Sequence, residues 1–239
     1  MLIGPQISAA DDTLSINLRA VRARIASAAA ASGRSEQSIT LVAVSKGHDQ
    51  GRVRACAELG VHDFGESYLQ EALDKRAALA ERALTWHFIG RVQANKTRPI
   101  AEIFDWVHGI DRLKVAERLA AHRPRTLAPL QVCLQVNIAA DVDKAGVAPD
   151  EAAALAQGVA RLSQLRLRGL MCILPQGLDA HANRRAFGAL RMLLERLNGA
   201  HGGRLDTLSM GMSADYHEAI LEGATLVRVG TALFGTRPG

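Results

Sequence analysis

Apolar residues follow two spacings that alternate along the chain from residue 40 onward. Short runs rich in β-branched and aromatic residues predict strands, and longer stretches with an apolar residue every three or four positions predict helices. The predicted strands are residues 40–45, 62–66, 85–90, 106–110, 130–138, 166–173, 207–212 and 226–234. The helical spacing is clearest over residues 68–79, 112–123, 150–162, 184–197 and 214–222.

Eight strands, each followed by a helical stretch, fit into about 200 residues. This order predicts an α/β fold of the (β/α)₈ TIM barrel type, because an open doubly wound sheet has fewer strands and a glycine-rich first turn. An Ala- and Arg-rich stretch at residues 11–33 precedes the first strand, and we expect it to form an additional N-terminal helix that ends at Gly33. No repeat or linker interrupts the pattern, so residues 1–239 are expected to form a single domain.

Composition limits the class of protein. With 239 residues, 48% of them hydrophobic, the chain can build a core without disulfides or a structural metal. The three cysteines, Cys56, Cys133 and Cys172, show no metal-ligand spacing and are interpreted as reduced core residues. No signal peptide and no run long enough to cross a membrane is found, which predicts a cytoplasmic protein without membrane contact. The net charge is +5, but the arginines are scattered without aromatic neighbours, which argues against nucleic-acid binding.

The positive charges are distributed unevenly between the two basic residue types. The chain has five lysines and 24 arginines, together the 29 basic residues. A guanidinium cannot lose its proton and attack a carbonyl, whereas an amine can. Lys46 closes the first predicted strand, and we interpret it as a Schiff-base lysine. A structural lysine at a buried strand end is the alternative.

Unusual residues gather where the predicted strands end, which is where TIM barrels place their sites. The glycines and hydroxyls of the last two strands would allow close backbone approach and donate hydrogen bonds, which predicts a phosphate-binding cup. Lys46 facing such a cup indicates a pyridoxal 5'-phosphate site. Ser213 belongs to the predicted cup, and the full set of predicted cofactor-binding residues is Lys46, Ser67, Asn137, Met171, Ser209, Met210, Gly211, Arg228, Gly230 and Thr231.

Arg228 changes the chemistry expected of this site. An acidic partner at the pyridine nitrogen keeps that nitrogen protonated and makes the ring a strong electron sink, whereas an Arg disfavours the proton. The alternative is that Arg228 pairs with a barrel carboxylate such as Glu66.

Several segments together closely resemble the pyridoxal phosphate homeostasis proteins, which are single-domain relatives of the alanine racemase N-terminal barrel. The resemblance runs from about residue 12 to 237 in LVAVSK (41–46), DFGESYLQEALDK (63–75), WHFIGRVQANK (86–96), HGIDRLKVAERL (108–119), LRGLMCI (167–173) and LSMGMSADYHEAILEGATLVRVGTALFG (208–235). It implies that Lys46 is the Schiff-base lysine, that Ser209, Gly230 and Thr231 hold the phosphate, and that Arg228 faces the pyridine nitrogen. It further implies a protein that binds pyridoxal phosphate, buffers it and hands it to apo enzymes, without robust catalysis.

The chain departs from the pattern of that family at a few positions. Ser67 stands where the family has Asn in its F-G-E-N-Y motif, and Gly47 and His48 follow Lys46 where the family often has Ser or Thr and then Lys. We interpret His48 as a solvated loop histidine and His87 as a satisfied core histidine. Two further lysines on later loops, Lys96 and Lys144, are expected to be surface residues, with secondary amine sites as the alternative.

Two enzyme classes remain as alternatives. A racemase needs a group that moves a proton on the opposite face of the cofactor, and in two-domain racemases a Tyr from a second domain of the partner subunit supplies it. This chain has two tyrosines, Tyr68 and Tyr216, both predicted on helices. A cofactor-free Schiff-base aldolase ranks last, because the sixth strand offers Met171 and Cys172 instead of an acid and base. Without a second domain, a monomer is expected.

Overall fold

Eight parallel strands close into a barrel in which each strand pairs with the next along the chain and β8 pairs with β1. The computed structural model describes residues 9–201 and 205–236. The strands are β1 (Thr40–Val44), β2 (Asp63–Glu66), β3 (Thr85–Phe88), β4 (Trp106–Ile110), β5 (Leu130–Gln135), β6 (Leu165–Met171), β7 (Thr207–Ser209) and β8 (Leu226–Val229). The prediction of a (β/α)₈ barrel is confirmed.

Helices surround this barrel and follow the strands in the expected order. They are α1 (Ala9–Ala31), α2 (Gln50–Glu58), α3 (Leu69–Ala78), α4 (Thr97–Ile103), α5 (Leu113–His122), α6 (Ala152–Ala160), α7 (Ala180–His201), α8 (Tyr216–Leu221) and α9 (Thr231–Phe234). Short 3₁₀ turns at Glu36–Ser38 and Ala94–Lys96 precede β1 and α4. The additional N-terminal helix, α1, packs against α8 and α9.

The end of α1 shows how local sequence sets an element boundary. Gly33 has a φ of +69°, which a residue with a side chain rarely adopts. The N–H of Gly33 donates to Ala30 O at 3.0 Å and the N–H of Arg34 donates to Ala29 O at 2.9 Å. These two bonds form a Schellman motif and satisfy carbonyls that the helix end would leave open. Gly33 therefore ends α1 as predicted.

The last two strands are shorter than the apolar runs suggested. β7 ends at Ser209 and β8 at Val229, so the prediction of strand through residues 212 and 234 was wrong. The N–H groups of Leu233 and Phe234 donate to Gly230 O, which makes residues 231–234 a helical turn. A short apolar run does not distinguish strand from buried helix, because both bury their side chains.

Apolar side chains fill the layer between the barrel and its helices, but the interior of the barrel is partly polar. Ala43 lies in the contiguous hydrophobic core, and its neighbours Val42 and Val44 point to the opposite side of the strand. TIM-barrel interiors are usually filled with branched apolar residues. Here four buried polar side chains are hydrogen-bonded to one another across the strands: His87, His108, Ser209 and Arg228.

The cysteines behave as the composition indicated. Cys56, Cys133 and Cys172 are free and buried. Burial raises the pKa of the Cys133 and Cys172 thiols to about 12, because it disfavours the thiolate. Within the described residues, no helix has the length and apolar character that a membrane span requires.

The close approach of β6 to β7 yields a stability prediction. A Cβ added at Gly169 would lie 1.9 Å from Thr207 O, a backbone atom that cannot move without disturbing the sheet. We expect Gly169→Ala to lower the free energy of unfolding by about 3 kcal/mol or more. Gly199→Ala is the control, because Gly199 is exposed on α7 and its added Cβ meets nothing within 4 Å. Urea unfolding of both variants makes the comparison, and equal stabilities would contradict the prediction.

Candidate functional site

Lys46 lies two residues beyond β1, at the carboxyl-terminal end of the barrel, and is half-buried. β1 pairs with β8 so that Ala43 lies opposite Val229. A Cβ added at Gly230 would be 3.3 Å from both Cβ and O of Val44, so the backbone after β8 lies directly against the end of β1. The barrel closure thus brings the segment that carries Lys46 beside Gly230.

Backbone donors converge on one hydroxyl beside this contact. The N–H groups of Gly230 and Ala232 both donate to Ser213 Oγ at 3.2 Å. Successive N–H groups and a hydroxyl at one point make a concavity suited to an anion. Thr231, between the two donors, is exposed. Ser213, and not Ser209, supplies the hydroxyl that accepts from these backbone donors.

Ser209 instead lies inside the barrel. Its side chain is fully buried, and its Oγ accepts a hydrogen bond from Arg228 Nη1 at 2.6 Å. The same Oγ lies 2.8 Å from Nδ1 of His108. The Ser209 side chain therefore orients Arg228 in this structure, and its predicted contact with a phosphate stays a prediction.

Two hydrogen bonds fix the guanidinium of Arg228. Nη1 donates to Ser209 and Nη2 donates to Cys172 O at 2.9 Å. Burial lowers the pKa of the Arg228 guanidinium, yet an Arg keeps its charge at neutral pH. The alternative of an ion pair between Arg228 and Glu66 was wrong, because Ser209 and Cys172 hold the guanidinium, and Glu66 Oε1 bonds to other groups.

Those groups hold the backbone on both sides of Lys46. Lys75 of α3 donates to Ser45 O at 2.8 Å and to Glu66 Oε1 at 2.7 Å, and Ser45 Oγ donates to the same Oε1 at 2.6 Å. Glu71 Oε2 accepts from Lys75 at 3.3 Å and from the Gly47 N–H at 2.8 Å. The residues before and after Lys46 are thus tied to one buried ion cluster.

Burial dominates the electrostatics of this cluster. Glu66 has no exposed surface, and its Oε2 is buried with no hydrogen-bond partner among the described residues. Burial raises the pKa of the Glu66 carboxyl, while the hydrogen bonds from Lys75 and Ser45 act in the opposite direction. Sequence analysis missed Lys75, because its helical spacing resembles that of any surface lysine.

The other predicted site residues occupy different surroundings. Ser67 follows β2, and its backbone packs so closely on Gly90 that an added Cβ there would lie 2.6 Å from Ser67 O. Asn137 closes its own loop, since its amide donates to Asp141 O and accepts from Asp141 N. Met171, the last residue of β6, is buried.

Two neighbours of Ser209 shape the turn after β7. The Met210 side chain belongs to the hydrophobic core. Gly211 has a φ of +92°, and its added Cβ would lie 2.6 Å from Ala219 Cβ. The carbonyl of Gly211 accepts from Arg228 N at 2.9 Å, which links the turn to β8. Roles for these residues in holding a cofactor remain predictions.

The interpretation of His48 is corrected by the structure, and that of His87 is confirmed. The interpretation of His48 as a solvated loop residue was wrong, because its ring is buried and stacks on Phe234 with centroids 5.0 Å apart. His87 is a buried and satisfied core histidine, as predicted, with ring nitrogens 3.0 Å from Asp63 Oδ1 and 3.0 Å from His108 Nε2. Sequence analysis did not single out His108, although it shares with His87 the signal of a histidine inside a strand.

The chain is similar to known proteins over most of its length. The family model "Alanine racemase, N-terminal domain" matches residues 16–238. A Pseudomonas aeruginosa protein named pyridoxal phosphate homeostasis protein is 54% identical over 225 residues, which cover 94% of this chain and 96% of that protein. An Escherichia coli protein of the same name is 44% identical over 226 residues, 92% of this chain and 95% of that protein.

The chain belongs to the pyridoxal phosphate homeostasis protein family. The solved structure of PipY from Synechococcus elongatus, with pyridoxal phosphate (PLP) bound, matches with a TM-score of 0.82 at 36% identity. The match covers 93% of this chain and all of the PipY chain. Members of the family thus share the whole barrel with this chain.

The ion cluster around Lys46 yields a second stability prediction. Lys75→Met leaves the Glu66 carboxylate buried without its cation, which we expect to cost about 3–5 kcal/mol of unfolding free energy. Adding Glu66→Gln should restore part of this loss, because a neutral amide needs no counter-charge. Urea unfolding of both single variants and the double variant measures the coupling, and additive losses would contradict it.

The same variant should show a characteristic pH dependence. Without Lys75, the pKa of the Glu66 carboxyl rises further, because only burial and the weaker partners remain. A carboxyl whose folded pKa is raised binds protons more readily in the native state, so stability falls as pH rises through that value. The deficit of Lys75→Met should therefore shrink on acidification and grow at higher pH, in unfolding curves recorded at several pH values.

Proposed function

We propose that this protein binds pyridoxal 5'-phosphate as a Schiff base on Lys46 and acts in PLP homeostasis by holding the cofactor and delivering it to apo enzymes. The names of its relatives and the PLP-bound structure of PipY support the proposal. When bound, PLP supplies an aldehyde that condenses with amines and a ring that can accept negative charge.

One observation carries the proposal, namely that barrel closure brings the segment that carries Lys46 beside the backbone donors after β8, next to the buried Arg228. Lys46 follows β1, while Arg228 and Gly230 lie at the end of the neighbouring β8. Gly230 has no side chain, and a Cβ there would lie 3.3 Å from Val44, so its absence lets the backbone after β8 approach the end of β1 closely. These donors fit the cofactor: Lys46 the aldehyde, Gly230 and Ser213 the phosphate, and Arg228 the ring nitrogen.

The donor set favours holding the cofactor over catalysis. Arg228 can only donate hydrogen bonds, so a ring nitrogen facing it would lack a proton, and the ring would withdraw electrons weakly. The two tyrosines are poorly placed as racemase bases. Tyr216 is buried on α8 with Arg24 of α1 over its ring at 5.2 Å, and Tyr68 is largely exposed just before α3.

Lys46→Ala tests the assignment of the Schiff-base lysine. Titration of the wild-type protein with PLP should produce a Schiff-base absorbance band, and borohydride should fix the cofactor on the peptide that contains Lys46. The variant should show neither, because it lacks the amine. Lys96→Ala and Lys144→Ala are the matched controls and should behave as wild type. Trapping mainly on Lys96 or Lys144 would overturn the assignment.

Delivery and catalysis need separate assays. The PLP-loaded protein should activate an apo PLP-dependent enzyme even when a phosphatase destroys free PLP, if transfer is direct. Activation that disappears with the phosphatase would contradict delivery.

Steady racemization of an amino acid at an enzyme-like rate, above about 1 per second, would favour the racemase alternative instead. We expect neither loss of activation nor such turnover, and we expect a monomer in light scattering.

A further inference from the structure

A continuous line of hydrogen bonds crosses the barrel interior. Asp63 Oδ1 lies 3.0 Å from His87 Nε2, and His87 Nδ1 lies 3.0 Å from His108 Nε2. His108 Nδ1 is 2.8 Å from Ser209 Oγ, which accepts from Arg228 Nη1 at 2.6 Å. Five side chains from β2, β3, β4, β7 and β8 thus form one chain, each bonded to the next.

The two ends of this hydrogen-bond chain differ in their exposure to solvent. Asp63 is the first residue of β2, its side chain is 28% exposed, and it lines a groove of about 740 Å³ beside α1. Ser209 ends β7, next to Arg228 and the candidate cofactor site. The two histidines between them are buried. A polar chain that runs from a solvent groove to the site is costly to bury unless every member is satisfied.

The obligate donors and acceptors at the ends fix every hydrogen in the neutral chain. Arg228 only donates, so Ser209 Oγ accepts from it, and the Asp63 carboxylate only accepts. With both rings neutral, each hydrogen of the chain must therefore point toward Asp63, and Ser209 Oγ gives its own hydrogen to His108 Nδ1. Burial holds the pKa of His108 well below its usual value, and His87 and Arg228 lower it further, so the His108 ring is neutral with its hydrogen on Nε2. That hydrogen goes to His87 Nδ1, and His87 Nε2 donates to the Asp63 carboxylate.

An added proton can pass along this line of hydrogen bonds and leave the His108 ring neutral. When Ser209 Oγ takes up a proton, its former hydrogen moves to His108 Nδ1, and the His108 Nε2 hydrogen moves to His87 Nδ1. Each O–H or N–H bond that breaks is matched by one that forms, and the positive charge ends on His87 beside Asp63. Ser209 Oγ then accepts from both His108 and Arg228 and keeps its new hydrogen.

We propose that Asp63, His87, His108 and Ser209 form a proton relay that takes up a proton beside Arg228 and holds the charge on His87 against Asp63. Its coupling to PLP rests on the proposed function. A charged relay adds a positive charge and a hydroxyl donor near an anionic cofactor, so it should strengthen PLP binding, and by reciprocity bound PLP should favour the charged relay.

The surroundings of His87 support its role as the charge-bearing ring. The charged and titratable groups that face it are Asp63 from β2 and His108 from β4, while Trp106 stacks on its ring with centroids 5.6 Å apart. Arg168 lies over the ring of Trp106 at 4.9 Å and is paired with Asp206 at 2.7 Å. Among the residues that the structure describes, Asp63 is the one carboxylate hydrogen-bonded to His87. Among the described residues, no group of three His, Cys, Asp or Glu side chains could hold a metal ion.

Nitrogen-15 NMR of the imidazole rings in the cofactor-free protein tests the relay directly. As the pH falls, His87 should take up a proton, and at the same midpoint the hydrogen of His108 should move from Nε2 to Nδ1 while that ring stays neutral. A histidine with only a structural role would not change tautomer in step with its neighbour. A His108 tautomer that stays constant across the titration would overturn the proposal.

Asp63→Asn is the main variant, because Asp63 is not one of the predicted cofactor-binding residues and is partly exposed. Loss of its charge should lower the midpoint of the coupled change by about one pH unit. His62→Gln is the matched control, since His62 is exposed in the same groove but lies outside the chain of hydrogen bonds. His62→Gln should leave the midpoint in place, and an equal shift in both variants would contradict the relay.

A second measurement connects the relay to PLP. The affinity of the wild-type protein for PLP should fall about fivefold or more as the pH rises through the midpoint, because the charged relay is lost. In Asp63→Asn the fall should move to lower pH with the NMR midpoint, while His62→Gln follows the wild type. Identical affinity profiles despite a shifted midpoint would refute the coupling. If no variant binds PLP, the proposed function fails, and the NMR result still decides the relay.

Discussion

The pairing of β8 with β1 is the constraint on which the rest of this structure depends. The two strands are almost 190 residues apart in the chain, yet they lie in register over Thr40–Ala43 and Leu226–Val229. Parallel strands present their carboxyl ends at one edge, so closure brings the segment after β1 beside the segment after β8. The segment that carries Lys46 lies beside Gly230 only because the barrel closes.

Closure also creates an interior that this chain fills with polar groups. Arg228 satisfies its charge with a hydroxyl and a carbonyl, and the two histidines satisfy one another. Beside this line, Lys75 compensates the buried Glu66 and braces the residues on either side of Lys46. Each of these groups would cost free energy if it were buried alone, and the hydrogen bonds of the networks offset that cost.

Patterns in the sequence predicted the architecture well where periodicity was long and punctuated. The strand order, the helix before β1 and its end at Gly33 were all readable, since glycine and spacing report local backbone geometry. The end of β8 was not, because Thr231–Phe234 is apolar in either conformation. His48 was misjudged for a related reason: its burial depends on Phe234, which is distant in sequence.

The sequence by itself determined which elements form and which chemistry is available, since an amine after β1 and glycines and hydroxyls after β7 and β8 follow from residue type and spacing. Tertiary structure decided which of those groups meet. It placed Ser213 at the backbone donors, turned Ser209 inward to Arg228, and joined His108 to His87. These contacts are set by register and side-chain direction between strands that are far apart in the chain, and local spacing carries no information about them.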